Sequence, residues 1–178
     1  EAIERPVDEL RKRIFVTGEE FRVGDFVIKP FAVSHDAAEP VGFSIYNGNR
    51  KISFCTDSGH ITEEIFEEIH DADLLLLEAN HEKEMVLCGR YPYPLKQRIL
   101  GDDGHLSNVT AGKWLSRIVK RLPKRRRVLL GHLSRENNTP EVAMLAVKNT
   151  LEEDSIYLCD ELKVGVVLRD RRSEVFEV

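Results

Sequence analysis

The stretch that decides the fold is KISFCTDSGHITEEIFEEIHDADLLLLEANHE, residues Lys51–Glu82. It contains two apolar runs that are separated by a segment with helical periodicity. The first run ends at Asp57, and the second run ends at Glu78 and His81. Carboxylate and imidazole side chains can bind a metal ion or move a proton. Because two predicted strands each end on such residues, we expect a functional site at the edge of a sheet.

Working outward from this stretch, the sequence predicts a group of strands followed by strands that alternate with helices. The predicted strands are Phe21–Ser34 (one bent strand or a strand pair), Val41–Tyr46, Lys51–Thr56, Leu74–Leu77, Arg127–Leu130, Ser155–Leu158 and Val164–Arg169. The predicted helices are Thr62–His70, Ser107–Leu122 and Pro140–Leu151. Asn47-Gly48 predicts a hairpin turn, because both residues tolerate positive φ. This order predicts an α/β (α+β) fold with helices packed outside a pair of sheets.

Composition limits the class of protein. The chain has 178 residues, of which 42% are hydrophobic, and this is enough for one domain spanning residues 1–178. The net charge of −5 argues against nucleic-acid binding through overall charge, although a local basic patch could still bind nucleic acid. Three widely spaced cysteines form no disulfide framework and indicate a reducing, cytoplasmic compartment. No apolar run approaches the roughly 18 residues that span a bilayer, so no membrane association is expected.

Polar residues collect where the predicted strands end, at His35, Asp57, Glu78, His81 and His132. Loops that leave one edge of a sheet converge, so these groups can meet in space. Imidazole nitrogen and carboxylate oxygen together suit zinc or manganese. Each residue also has an ordinary interpretation, since a histidine at a strand end is more often only hydrogen-bonded and an Asp-Ser-Gly sequence is often a turn. The repetition at several strand ends favours a metal site.

Two further features allow both a structural and a functional interpretation. His105 precedes Ser107, the predicted N-cap of a helix, and could simply lead into that cap or could act as a proton donor at the positive helix end. The run Arg117–Arg127 holds seven basic residues and no acidic one. It is either a solvated helix C-terminus or a surface that contacts phosphate.

Five segments resemble, in order, the successive motifs of one family. They are VSHDAAEPVGF (33–43), TDSGH (56–60), LLLLEANHE (74–82), GRYPYPLKQRILGDDGHLSN (89–108) and LLGHLSRENNTPEVA (129–143). The family is the metallo-β-lactamase superfamily, in its WalJ/YycJ branch. The resemblance implies an αββα sandwich with two divalent metal ions, zinc or manganese, at one edge of the sheets. It also implies a metal-dependent hydrolase that cleaves phosphodiesters, namely a DNA exonuclease acting from the 5′ end.

The resemblance assigns roles to residues at the matching positions. It implies that His35 binds the first metal ion, that Asp57 bridges both ions and that His132 binds the second. It implies catalytic roles in a proton relay or phosphate contact for Glu78, His81 and His105. It further implies that three residues of the loop beside the metal contact the substrate or support the metal ligands from behind: Ser134, Asn137 and Asn138.

One motif of the family does not occur in residues 1–178. The first metal-binding string, His-x-His-x-Asp-His, is absent, and residues 1–15 resemble the middle of a family member. We therefore expect the chain to be the C-terminal portion of a longer fold, whose leading portion is missing, resides in a separate chain or has been lost. Without it, each metal ion has fewer than the roughly three protein ligands of a catalytic zinc. The isolated segment is predicted to be inactive, with an exposed apolar sheet face that invites association with other copies.

Two other functions remain open on this scaffold. One is a small-molecule phosphodiesterase or thioester hydrolase, because the fold hosts many substrates. The other is a metal-free scaffold protein whose site has decayed.

Overall fold

The computed structural model describes residues 13–177, which form one mixed sheet of seven strands and five helices. The strands are β1 (Phe21–Val23), β2 (Phe26–Ala32), β3 (Val41–Asn47), β4 (Arg50–Cys55), β5 (Leu74–Glu78), β6 (Arg126–Gly131) and β7 (Leu162–Val166). The helices are α1 (Glu63–Ile69), α2 (Lys83–Cys88), α3 (Tyr93–Leu100), α4 (Asn108–Arg121) and α5 (Pro140–Glu153). The family likeness expected for residues 1–15 falls mostly outside the described residues.

The order of the strands in the sheet follows their order in the chain. Two tight turns join the antiparallel pairs β1–β2 and β3–β4, and Gly24 and Gly48 adopt positive φ in them. From β4 onward all neighbours are parallel. Because β2 and β4 are both antiparallel to β3, β2 also runs in the direction of β4. Five strands (β2, β4, β5, β6 and β7) therefore end at the same side of the sheet, which we call the carboxyl edge.

Helices cover one face of the sheet. The core joins the apolar sides of α1, α4 and α5 to alternate residues of the strands, such as Leu75 and Leu77 of β5 and Leu130 of β6. Thr62, Ser107 and Thr139 cap these three helices through their side-chain oxygens. None of the helices within residues 13–177 has both the length and the apolar character needed to cross a bilayer.

The opposite sheet face is apolar but largely without a second layer among the described residues. In register, Phe43 pairs with Phe54, and Phe54 pairs with Leu76, so these side chains share one face. Phe54 is 37% exposed and Phe26, near the same face, is 46% exposed. The α/β fold predicted from the sequence is confirmed, and residues 13–177 provide one sheet and one helical layer of the expected αββα sandwich.

Three predictions about elements differ from the structure. Residues 155–158 form no strand, because α5 ends in a tight turn where Ser155 adopts positive φ. The last strand is Leu162–Val166 rather than Val164–Arg169, which places Arg169 in the turn after it. Helices α2 and α3 were not predicted. Helix α2 buries only Val86 and α3 buries no residue, so their sequences do not show the regular spacing of apolar residues that indicates a helix.

The contact between α4 and α5 depends on Gly112. A Cβ atom at this position would lie 2.7 Å from the Cβ atom of Thr150. We expect Gly112→Ala to lower the free energy of unfolding by roughly 1–2 kcal/mol, because the overlap outweighs the better helix propensity of alanine. Lys113→Ala, at the exposed neighbouring position, is the control and should change stability little. Urea unfolding measures both, and an unchanged midpoint for Gly112→Ala would contradict the packing described.

Candidate metal centre

The carboxyl edge brings together side chains from four strand ends. His35 lies three residues after β2, Asp57 lies two residues after β4, Glu78 ends β5, and His132 directly follows β6. These residues are far apart in sequence but adjacent here because the strands run in the same direction. The convergence predicted from the strand-end pattern is therefore present in the structure.

Asp57 lies between the two histidines expected to bind metal. Its Oδ1 atom is 3.8 Å from Nε2 of His35 and 3.5 Å from Nε2 of His132. Both Asp57 and His132 adopt the left-handed backbone conformation, with φ of 55° and 56°. This conformation is unfavourable for residues other than glycine and is often found where a side chain must be aimed into a site. One carboxylate oxygen thus faces two imidazole nitrogens.

Glu78 is the buried hub of the centre. Its Oε1 atom accepts hydrogen bonds from Nδ1 of both His105 and His132, each at 2.8 Å, and its Oε2 accepts one from the Ser58 amide at 2.8 Å. Burial alone would raise the pKa of Glu78, but these donors outweigh it and hold the pKa below the usual value. Glu78 is therefore a carboxylate that accepts from three segments of the chain.

These hydrogen bonds decide which imidazole nitrogens can bind a metal. Nδ1 of His105 and His132 donates to Glu78, and Nδ1 of His35 contacts the carbonyl oxygen of Gly104 at 2.9 Å. In all three rings Nδ1 is therefore engaged and Nε2 is left to face the centre, which is the usual arrangement of histidines that bind metals.

Two overlapping groups have potential ligand atoms that all lie within 4.8 Å of one another. They are His35, Asp57 and His105, and Glu78, His105 and His132. His105 belongs to both groups, and its ring lies 4.9 Å from the ring of His35 and 5.3 Å from that of His132. Nitrogen and carboxylate donors in this number fit divalent metal ions such as zinc or manganese.

His81 is separated from the centre by burial. Glu78 is hydrogen-bonded to His105 rather than to His81, and among the described residues Nδ1 of His81 has no partner. Burial lowers the pKa of His81 to about 4, so the ring is neutral near pH 7. Of the two histidines expected beside Glu78, His105 is therefore the one that contacts it, and the relay role of either histidine stays a prediction.

The three residues expected to contact the substrate or to support the metal ligands have different environments. Asn138 is buried, and its Nδ2 donates to the carbonyl oxygens of Ala79 and Asn80 and to Oδ1 of Asn108. Asn137 is also buried. A buried amide engaged in this way stabilises the loops and is not available to a substrate. Ser134 remains partly exposed beside His132, so it alone keeps a position from which it can contact a ligand.

The basic run Arg117–Arg127 lies away from the centre. Helix α4 begins at the carboxyl edge and carries the run to the opposite edge, where β6 starts. Its cations are largely paired within the chain: Arg117 with Glu63, Lys120 with Asp154, and Lys124 with Asp73. Arg126 is buried and donates to the carbonyl oxygens of His70 and Leu122. The structure thus favours the interpretation as a helix C-terminus over a phosphate-binding surface.

Sequence reasoning missed the residues that support His35. Asp36 forms a two-armed ion pair with Arg98 of α3, and this pair lowers the pKa of Asp36 to about 2. The loop after α3 also supplies the carbonyl oxygen that contacts His35. A Cβ atom at Gly104 would lie 2.2 Å from the backbone oxygen of Arg98, so only glycine fits there. The two glycines that flank Asp102 and Asp103 were the available signal for this close approach.

Comparison with known proteins agrees with this geometry. A family model described as a beta-lactamase superfamily domain matches residues 1–133. The chain belongs to the metallo-β-lactamase superfamily. Exodeoxyribonuclease YycJ of Bacillus anthracis is a member 38% identical over 148 residues, covering 83% of this chain and 54% of the relative. Exodeoxyribonuclease WalJ of Streptococcus pneumoniae (strain D39) is 34% identical over 172 residues, covering 97% of this chain and 63% of the relative. The chain thus spans between half and two thirds of these relatives.

Solved structures of the superfamily share the fold. The metallo-β-lactamase fold protein YhfI from Bacillus subtilis superposes with a TM-score of 0.58 at 20% identity, covering 86% of this chain and 51% of that one. Unliganded PDE1 from yeast superposes with a TM-score of 0.61 at 14% identity, covering 86% and 47%. The sheet and helices described above are therefore those of the metallo-β-lactamase fold.

Removing the charge of Glu78 tests its role in this metallo-β-lactamase centre. In Glu78→Gln the side chain has one acceptor oxygen instead of two and can no longer serve both imidazoles and the Ser58 amide. We expect roughly a 10- to 100-fold loss of zinc affinity, as measured by titration calorimetry on the protein in the longest form its reading frame encodes. Glu84→Gln, on the exposed side of α2, is the control. Equal zinc affinity in both variants and the unmodified protein would refute the assignment.

The buried His81 predicts a particular dependence of stability on pH. Folding lowers its pKa from 6.5 to about 4, so the unfolded chain binds the proton more readily. The free energy of unfolding should therefore fall as the pH drops from about 6.5 to about 4, by up to roughly 3 kcal/mol from this residue. In metal-free protein, urea unfolding of His81→Gln should lack this component. A variant with the same slope as the unmodified protein would show that His81 is not responsible.

Proposed function

We propose that the protein is a metal-dependent hydrolase of phosphodiesters and acts as a DNA exonuclease from the 5′ end. The observation that carries the proposal is that one oxygen of Asp57 faces Nε2 of both His35 and His132. Such an arrangement suits a carboxylate that bridges two metal ions. The relatives in Bacillus anthracis and Streptococcus pneumoniae carry the name exodeoxyribonuclease, which supports DNA as the substrate.

The proposed activity requires ligands beyond those of residues 13–177. A catalytic zinc ion has about three protein ligands, whereas His35, Asp57 and His132 must here serve two ions. The apolar sheet face that contains Phe43 and Phe54 is suited to pack a second sheet. We propose that a leading portion of the fold, in the same protein or in a separate chain, covers this face and completes the site. The isolated segment is expected to be inactive.

The chain's own residues have defined parts in the proposed reaction. Two divalent ions, when bound, would activate a water molecule and neutralise charge on the phosphate. His105 directs Nε2 into the centre because Nδ1 is held by Glu78. A protonated His105 can donate from Nε2 to the leaving oxygen, and the carboxylate of Glu78 stabilises the imidazolium before transfer. The Ser58 amide and His132 hold Glu78 in place meanwhile.

The cysteines support a proposal for the compartment. Cys55, Cys88 and Cys159 are all free thiols in the structure, and burial raises the pKa of Cys55 to about 12. Free thiols are typical of a reducing environment, so we propose a cytoplasmic location.

The function is tested with the protein in the longest form its reading frame encodes, loaded with manganese or zinc. Duplex DNA labelled at its 5′ end should release labelled mononucleotides first, whereas a 3′ label should remain on the shortening strand. Asp57→Asn should reduce the rate roughly 10²- to 10³-fold, because it removes the charge shared by both ions. Asp160→Asn is the control, since Asp160 is an exposed residue before β7 on the opposite edge.

Two outcomes would contradict the proposal. If the folded, metal-loaded protein leaves DNA intact but cleaves bis(p-nitrophenyl) phosphate or a thioester, it is a small-molecule hydrolase. If it retains no metal after gentle preparation and cleaves neither kind of substrate, it is a scaffold.

A further inference from the structure

A cavity of about 640 Å³ adjoins the candidate metal centre. It lies between the loop that follows β6 and the turn that follows β7, and we call it the β6–β7 cavity. Because β6 and β7 are parallel neighbours, both connections leave the sheet at the carboxyl edge. His132 forms part of its lining, so a molecule in this cavity would be in contact with the metal centre.

The cavity is lined by three arginines: Arg135, Arg169 and Arg171. The one acidic residue among its lining residues is Asp170, which is 87% exposed and 3.8 Å from Arg135. An ion pair between such exposed groups contributes little, so Arg135 remains available. Within residues 13–177, Arg171 makes no ion pair or hydrogen bond with another side chain. The cavity therefore carries an excess of positive charge.

Arg169 is fixed at the cavity wall. Its Nη2 donates to the carbonyl oxygen of Leu133 at 2.7 Å, which leaves the other donors of the guanidinium group unused. Arg169 and His132 both line the cavity, which places the guanidinium group of Arg169 beside the metal centre. A planar group held in this way can form two parallel hydrogen bonds with a phosphate.

Ser134 adds a neutral donor on the other side of the cavity. Its Oγ accepts a hydrogen bond from the Asn137 amide, so its hydroxyl hydrogen is left to donate. Thr139 at the start of α5 also borders the cavity, and its side chain accepts a hydrogen bond from the backbone amide of Val142. Arginine guanidinium groups and a serine hydroxyl together are typical ligands of phosphate oxygens.

We infer that the β6–β7 cavity is a phosphate-binding subsite that holds the nucleic-acid strand beside the metal centre, through Arg169, Arg171 and Ser134. The inference rests on the proposed function, because it names how that substrate is held. The volume exceeds that of a single phosphate ion and accommodates a phosphate with its attached sugar. The phosphate is either the 5′-terminal group or a phosphodiester of the backbone, and the two are separated by experiment.

The test measures binding apart from cleavage. A fluorescently labelled single-stranded oligonucleotide is titrated, with a chelator present, into the protein in its longest form. Arg169→Gln and Arg171→Gln should each raise the Kd roughly 10-fold or more and reduce the salt dependence by about one phosphate contact. Arg125→Gln removes the same charge from an exposed residue at the opposite edge and should leave the Kd unchanged. Because the Arg171 side chain has no partner among the described residues, its replacement leaves the fold intact.

Two oligonucleotides, with a 5′-phosphate and with a 5′-hydroxyl end, identify the phosphate. If the terminal group is held, the variants weaken only binding of the phosphorylated strand, and if the backbone is held, both strands weaken alike. Either pattern supports the subsite. Unchanged Kd and salt dependence in both variants would overturn it.

The outcome is separable from that of the proposed function. If binding depends on Arg169 and Arg171 but the metal-loaded protein cleaves no DNA, the proposed exonuclease activity is contradicted and the proposed subsite is supported. Cleavage together with binding that is indifferent to both arginines would remove the subsite alone.

Discussion

The candidate site depends on one buried carboxylate, Glu78, which accepts hydrogen bonds from two imidazole rings and one backbone amide. Burying a charged carboxylate costs free energy unless the group is paired or hydrogen-bonded. Here three donors from three separate loops offset the loss of water around Glu78. In return, two imidazoles lose the freedom to rotate, and each presents the same nitrogen outward. Glu78 ends strand β5, which lies between β4 and β6, so a single side chain connects the loops that carry Asp57 and His132.

The convergence of His35, Asp57 and His132 could be predicted from the sequence because it follows from strand direction. Polar residues that end co-directional strands meet at one edge whatever the lengths of the connections between them. The choice between His81 and His105 could not be made in this way. Both precede helices and both lie near Glu78, and only the structure shows that His81 is buried without a partner for Nδ1 within residues 13–177 whereas His105 is bonded to Glu78. The sequence left open whether Asn138 contacts the substrate or supports the metal ligands, because the pattern gives no depth of burial, and in the structure backbone carbonyls from another loop occupy its amide.

Asn47-Gly48 likewise predicted the β3–β4 hairpin, and local periodicity predicted the buried strand β5 and the three helices that form the core layer. It did not predict α3, whose side chains contribute nothing to the core and therefore show no apolar period. It also extended the last strand to Arg169, although β7 ends at Val166. Because of this difference of three residues, Arg169 was placed inside a strand. It was therefore not recognised as a charged residue in the turn after β7, beside the candidate site.

The parallel arrangement also divides the molecule into two unequal margins. The residues of the candidate metal centre lie at the carboxyl edge. The β3–β4 hairpin with Asn47 and Gly48 and the end of α4 lie at the opposite edge. The tip of this hairpin, residues 47–49, is exposed, and exposed loop tips tolerate insertions. A fluorescent reporter or an affinity handle placed at the hairpin would leave the reactive side unobstructed, which makes this short turn the natural attachment point for studying the protein on a surface.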